Sequence, residues 1–221
     1  IFKIPSGEIT NYPYLKAIAQ KKKPVILSTG MANKEEISDA IKTIKKQRNN
    51  KIILLHCVSS YPAPIDDCNL AMIQELRKEF SLNIGLSDHT IGNEVALTSI
   101  SLGSVFIEKH FMLDKKTKGP DSSFSLTPNE FNDLTEKSSK VWRSIGKISY
   151  KIQKSEETNI KFRRSLYFVK KIKLGEEITR QAVRRIRPGY GIKPKFLNKI
   201  IGKKAKKNIE PGTAVSWELI K

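Results

Sequence analysis

The sequence predicts an α/β fold with a parallel sheet over residues 1–150, followed by a small, mostly β domain. Three observations carry that expectation. Short runs rich in Ile, Val and Leu alternate with helical patterns five times over, polar residues gather at the carboxyl ends of those runs, and beyond residue 151 the beat changes to a repeated strand-turn-strand unit.

The strands are expected at Phe2–Ser6, Pro24–Thr29, Lys51–Cys57, Asn83–Ser87 and Ser104–His110. Helical patterns fall at Tyr12–Gln20, Lys34–Lys46, Leu70–Phe80, Glu94–Leu102 and Pro128–Lys147. Asn33 ahead of Glu35 and Glu36, and Thr127-Pro128 ahead of Glu130, supply caps and acidic first turns. Residues 151–160 read as a linker and 161–221 as the second domain. There, Tyr167–Ile178 recurs thirty-seven residues on as Lys204–Val215, the mark of two copies of one short unit. Between the copies, Arg187-Pro-Gly-Tyr-Gly191 reads as a tight turn and Pro194–Ile200 as a short helix.

With 38% hydrophobic and 29% charged residues, the 221-residue chain reads as globular. No apolar run approaches the roughly 20 residues a membrane-spanning helix needs, and the chain opens inside a strand rather than a signal peptide. Cys57 and Cys68 are too few for a disulfide framework, so a reducing cytoplasm is expected. The net charge of +19 is uneven: residues 151–221 hold 20 Lys and Arg against 6 Asp and Glu. No nucleic-acid reader motif accompanies these cations; solubility, or attraction of small anions, accounts for them better.

The strand ends form a set. His89 and His110 close two consecutive strands, so in a parallel sheet or barrel both imidazoles emerge at the carboxyl rim. Two nitrogen ligands with open positions beside them suit a divalent metal. Lys3, Ser6, Ser28 and Ser87 offer one point charge and three hydroxyls, a set that suits phosphate. Ser28-Thr-Gly30 adds backbone N–H groups where a loop enters a helix. His56, inside an apolar strand, is expected to be a satisfied core residue. Residues 114–126 form a polar loop in which Asp121 could accept from sugar hydroxyls, or which simply links strand to helix.

Lys3-Ile-Pro-Ser-Gly-Glu8, Leu27-Ser-Thr-Gly-Met31, His56-Cys57 with Tyr61-Pro62, Gly85-Leu-Ser-Asp-His89-Thr90, Glu108-Lys-His-Phe111, Gly119-Pro-Asp121, and Arg187-Pro-Gly with Ile201-Gly-Lys occur in that order. In this the chain resembles the sialic acid synthase family. The resemblance implies strands four to eight of a (β/α)8 TIM barrel joined to an antiparallel, antifreeze-like SAF domain of the β-clip type. It also implies condensation of phosphoenolpyruvate with an N-acetylated mannose-type sugar, N-acetylmannosamine first, with Mn²⁺ or else Mg²⁺ or Co²⁺ as cofactor.

Carried over by residue, it makes His89 and His110 metal ligands and gives Lys3, Ser6, Ser28 and Ser87 to the phosphate of phosphoenolpyruvate. Glu8 falls beside the reacting carbons with Lys3, and Tyr61 and Asp121 meet the sugar. Arg187 reaches the sugar of the partner in a domain-swapped homodimer. Ser59 stands where the family usually has an asparagine that contacts phosphoenolpyruvate, and Ser122 where a histidine is common. Because the resemblance starts at the fourth barrel strand, a truncated gene, a split gene or a partial stretch of a longer protein is expected, with two open sheet edges and little activity from this chain alone. Other readings are a synthase for a relative such as legionaminic acid, a subunit that completes its barrel with a separately encoded N-terminal half, and a non-catalytic basic binding module.

Overall fold

Short β-branched runs separated by capped amphipathic helices can bury both sheet faces only by laying the strands parallel with helices returning between them. That is the arrangement found in the computed structural model, which describes all 221 residues. The strands β1 (Phe2–Ile4), β2 (Val25–Ser28), β3 (Ile52–Cys57), β4 (Asn83–Asp88) and β5 (Ile107–Lys109) pair in sequence order, all parallel, in one curled sheet. Helices α1 (Tyr12–Gln20), α2 (Lys34–Lys46), α3 (Met72–Phe80) and α4 (Glu94–Ser101) connect them, and α5 (Pro128–Ile145) follows β5. Asn33 with Glu36, and Thr127 with Glu130, close reciprocal capping boxes at the starts of α2 and α5.

Against the expected bounds, β2 loses one residue at each end and β3 one at its start, β4 gains Asp88, and β1 and β5 are cut to three residues. β1 stops at Ile4 because Pro5 has no N–H to give the ladder, and Ser6–Glu8 turns into a 3-10 helix. β5 is regular only over Ile107–Lys109, although Val105 N–H and the Phe106 carbonyl still bond to Ile84 and Leu86 of β4. β1 and β5 each pair on one side only, as the five-strand reading requires.

Parallel register makes Ile4, Leu27, Leu54 and Ile84 neighbours in one row, all fully buried against Leu15, Ile41, Ile44 and Ile73 of the helices. His56 lies on this same helix-facing side. It is the core histidine the sequence suggests: buried, with Nε2 2.7 Å from the Cys68 carbonyl oxygen. Burial pushes its pKa down, only partly opposed by that hydrogen bond.

The chain divides after Lys147 into two units. In the segment taken as a linker, Lys154–Phe162 winds into 3-10 turns. Beyond it, β6 (Ser165–Phe168) and β7 (Val183–Ile186) form an antiparallel pair, and α6 (Leu197–Ile200) follows a 3-10 turn at Pro194–Phe196. The two repeat copies bond reciprocally. Ile172 and Ile209 exchange N–H···O bonds of 3.0 and 2.8 Å; Gly175 donates to Ala205 and Gly212 to Phe168, both at 2.8 Å; and Ile178 donates to Lys203 as Val215 does to Leu166. Each pair maps onto the other by the thirty-seven-residue shift, so the copies are related by a pseudo-two-fold axis. Gly175 and Gly212 take the same left-handed φ of 80° and 87°, which a side chain would strain. No helix of the chain is long and apolar enough to cross a membrane.

Two outcomes follow for stability. Leu54→Ala, at the centre of the first core, should cost about 2–5 kcal/mol in denaturant unfolding; a loss under about 1 kcal/mol would mean the helix-facing row is loosely packed. For His56 the folded pKa lies below the unfolded one, so the folded state binds fewer protons. Stability is then full above the unfolded value of about 6.5 and falls as pH drops toward the folded pKa. Melting temperatures between pH 7.5 and 5 should fall less steeply in His56→Gln than in the wild type, and equal slopes would contradict the assignment.

Candidate active site

Side chains alternate across a strand with period two. Since Ile4, Leu27, Leu54 and Ile84 face the helices, Lys3, Ser28, Cys57 and Ser87 face the other way, and Cys57, Ser87 and Glu108 fall in one row across three strands. Continuing the alternation past the strand ends puts His89 and His110 on this inner face, one step further toward the rim.

The inner face contains two linked polar groups. In the first, Ser6 Oγ accepts from Gly30 N–H at 3.0 Å and lies 3.5 Å from Cys57 Sγ, which is in turn 3.9 Å from Ser59 Oγ. Gly30 is the floor of this cradle: a methyl there would collide with Ser59 Oγ and come within 2.8 Å of Ser6 Oγ. Ser28 is 2% exposed, and its Oγ bonds to no other group of the protein. In the second group, Lys3 Nζ lies 2.9 Å from Glu108 Oε1, and Ser87 Oγ donates to that same oxygen at 2.8 Å.

Beside them the rings of His89 and His110 are 5.3 Å apart at 64°. His89 Nδ1 donates to the Val58 carbonyl at 2.9 Å, and the chain after His110 is pinned where Leu126 N–H bonds its carbonyl. His110 Nδ1 faces Asp121 Oδ2 at 3.4 Å. Nδ1 of each ring thus faces an oxygen acceptor, which leaves Nε2 as the free lone pair. Tyr61 covers the pair, 4.3 Å from His89 and 5.9 Å from His110, while fully buried Phe124 backs His110 at 4.9 Å. No third His, Cys, Asp or Glu joins the two imidazoles in a metal-binding group.

Burial alone would lower the pKa of His89 and raise that of Cys57. Their mutual contact at 3.9 Å, with the Val58 carbonyl for His89 and Ser6 for Cys57, reverses both directions. His110 is lowered, first by burial and then by the nearby His89. The pair therefore splits into one more basic and one less basic imidazole.

Lys3, Ser6, Ser28, Ser59, Tyr61, Ser87, His89, His110 and Asp121 all belong to the first unit. Glu8 is on the 3-10 turn after β1, and its carboxylate takes the Asn11 side-chain amide at 2.7 Å, next to the cap of α1 rather than in the Lys3 group. Arg187 belongs to the second unit, exposed at the end of β7. Sequence reasoning gave no role to Glu108 or Cys57. The signal was present: Glu108 shares the parity of His110, and Cys57 that of Ser87.

A parallel βα sheet with its polar groups gathered on one face at the strand carboxyl ends is the arrangement of barrel-type α/β enzymes. Within that class the chain belongs to the NeuB family, whose pattern matches residues 1–150, and residues 163–221 match the SAF domain. It is 44% identical over 211 residues to the N,N'-diacetyllegionaminic acid synthase of Campylobacter jejuni, covering 94% of this chain and 63% of that protein. It is 39% identical over 214 residues to a pseudaminic acid synthase of C. jejuni, covering 97% of this chain and 62% of the relative. The crystal structure of an N-acetylneuraminic acid synthetase from Leptospira borgpetersenii superposes with a TM-score of 0.68 at 38% identity, covering 73% of this chain and 56% of that one. The chain thus spans about 63% of the length of the curated relatives it matches.

Gly30→Ala tests the cradle. The new methyl displaces the Ser6 and Ser59 hydroxyls, and hydrogen bonds to a charged group are worth about 1.5–3 kcal/mol. Calorimetric titration with inorganic phosphate should therefore show affinity reduced about tenfold or more. Unchanged affinity would put the anion elsewhere.

Proposed function

We propose that the chain carries the phosphoenolpyruvate and metal sites of a nonulosonic acid synthase. Such an enzyme joins C3 of phosphoenolpyruvate to the aldehyde carbon of an N-acetylated mannose-type sugar; water adds at C2 and inorganic phosphate leaves. The observation that carries this reading is the meeting, on one sheet face, of a hydroxyl and amide cradle with a paired imidazole site. The acceptor class includes N-acetylmannosamine and the diacetamido-dideoxy sugars that lead to legionaminic acid.

The donor set fits a divalent ion. Each imidazole has Nδ1 facing an acceptor and Nε2 free, and two protein ligands leave positions for water and substrate oxygens. His89 and His110 would hold it, Mn²⁺ first and Mg²⁺ or Co²⁺ as substitutes. Bound there, it supplies Lewis acidity toward a carbonyl oxygen.

The remaining work falls to the side chains. Ser6 and Ser28 donate to phosphate oxygens, Ser87 does so by turning its one proton away from Glu108, Ser59 and the Gly30 N–H stand at the cradle floor, and the Lys3 ammonium balances the dianion. Glu108, already bonded to Lys3 and Ser87, is better placed than Glu8 to hold or release a proton at the reacting centre. Tyr61 presents a half-exposed ring to the sugar, and Asp121 both orients His110 and offers its outer oxygen to a sugar hydroxyl. Arg187, in this reading, serves the sugar site of a second copy in a homodimer.

Binding is the direct test for this chain. Calorimetry should show Mn²⁺ binding that His89→Ala and His110→Ala each abolish, and phosphoenolpyruvate binding that Lys3→Met weakens about tenfold. Full Mn²⁺ affinity in the histidine variants, or phosphoenolpyruvate affinity indifferent to Lys3, would overturn the assignment. Phosphate release with each acceptor class then reads which sugar is used.

A further inference from the structure

Two charged residues end the same strands as the histidines yet face away from them. Asp88 and Lys109 are register partners on β4 and β5. By parity they point to the helix side, where Nζ and Oδ2 meet at 2.7 Å with side chains 0% and 1% exposed. The network closes through Thr90. Lys109 Nζ also donates to the Thr90 carbonyl at 2.8 Å, and Asp88 Oδ1 accepts from Thr90 N–H at 2.8 Å and from Thr90 Oγ1 at 2.7 Å. Asp88, His89 and Thr90 thus form a side-chain-closed turn, whose middle carbonyl is held by Ala63 N–H at 3.0 Å.

A buried ion pair is a poor choice for stability alone, because its desolvation cost is large and apolar residues of equal volume often do as well. What it supplies here is geometry. Asp88 precedes His89 and Lys109 precedes His110, so a bond between the first two fixes the backbone from which both imidazoles spring. We propose that the Asp88–Lys109–Thr90 network is a positioning device that sets the separation and angle of the two imidazoles, and through them the affinity for a divalent metal. The inference rests on the reading of His89 and His110 as metal ligands.

The test uses Co²⁺, followed by its visible absorption and by calorimetry on the purified chain. The double variant Asp88→Asn with Lys109→Met removes both charges, leaves neither unpaired and keeps an acceptor for Thr90 N–H. It should melt cooperatively near the wild-type temperature without metal, yet bind Co²⁺ about 10–100-fold more weakly with a shifted absorption band, the size of effect seen for groups that orient ligands. Should it fail to fold, Asp88→Glu keeps the charge but moves the carboxylate by one methylene, and the same loss of affinity is expected. A folded variant with wild-type affinity and spectrum overturns the positioning role while the metal site stands. No Co²⁺ binding by the wild type, or undiminished binding by His89→Ala, overturns the metal site and this inference with it.

Discussion

The candidate site depends on one register. With Cys57, Ser87 and Glu108 side by side across β3, β4 and β5, the inner face gathers lysine, serine, glutamate and both histidines, while Ile84, Leu86 and Ile107 go to the helices. A slip of β4 or β5 by one residue would turn Ser87, His89, Glu108 and His110 into the core and bring Asp88 and Lys109 to the rim. The slip is opposed on both faces. It would put Asn83, Gly85 and Ser87 in place of Ile84 and Leu86, or Glu108 in place of Ile107, and it would break the Asp88–Lys109 bond, which exists only in the native pairing. Register and chemistry are specified by the same alternation.

What was legible in the sequence follows from this. The helix Lys34–Lys46 could be read to the residue because the cap at Asn33 fixes where it starts, and Tyr12–Gln20 also matched, its start held by a cap at Asn11 that the sequence reading had not named. The strands were located, and the end of β3 and the start of β4 with them, but β1 and β5 were drawn too long: Pro5 was a local stop signal left unused, while the irregular stretch before Ile107 is decided by which neighbours are available to bond. At the site, histidines and serines at strand ends were recognisable by type. Which face each rim residue takes was not drawn out, so Glu108, Asp88 and Lys109 went without a role. For the loop of Asp121 the sequence offered a sugar contact or a plain link from strand to helix, and the contact of Asp121 with His110 depends on that loop returning to pair Leu126 with the end of β5, a tertiary event without a local signal.

Charge is distributed by unit rather than by site. On the inner face, Lys3 is matched by Glu108, so an incoming phosphate meets a lysine already in a salt bridge and must compete with a carboxylate for it. The second unit carries most of the excess positive charge, and Lys171–Glu210 is the one ion pair within it. Apart from Lys161, Lys195 and Lys199 over aromatic rings and Arg164 on a backbone carbonyl, its cations are mostly exposed, which favours solubility and raises the local concentration of anions without selecting among them.

The two copies in the second unit have a consequence for how that unit forms. The bonds that close its turns run from one copy to the other: Gly175 needs Ala205, and Gly212 needs Phe168. The β6–β7 pairing closes a short loop from Phe168 to Val183, but the bonds between copies join residues much further apart, such as Ile178 with Lys203 and Ile172 with Ile209. Closure entropy for the inter-copy bonds is therefore spent before they repay it. The unit should cross its folding barrier in one step, with both copies ordering together.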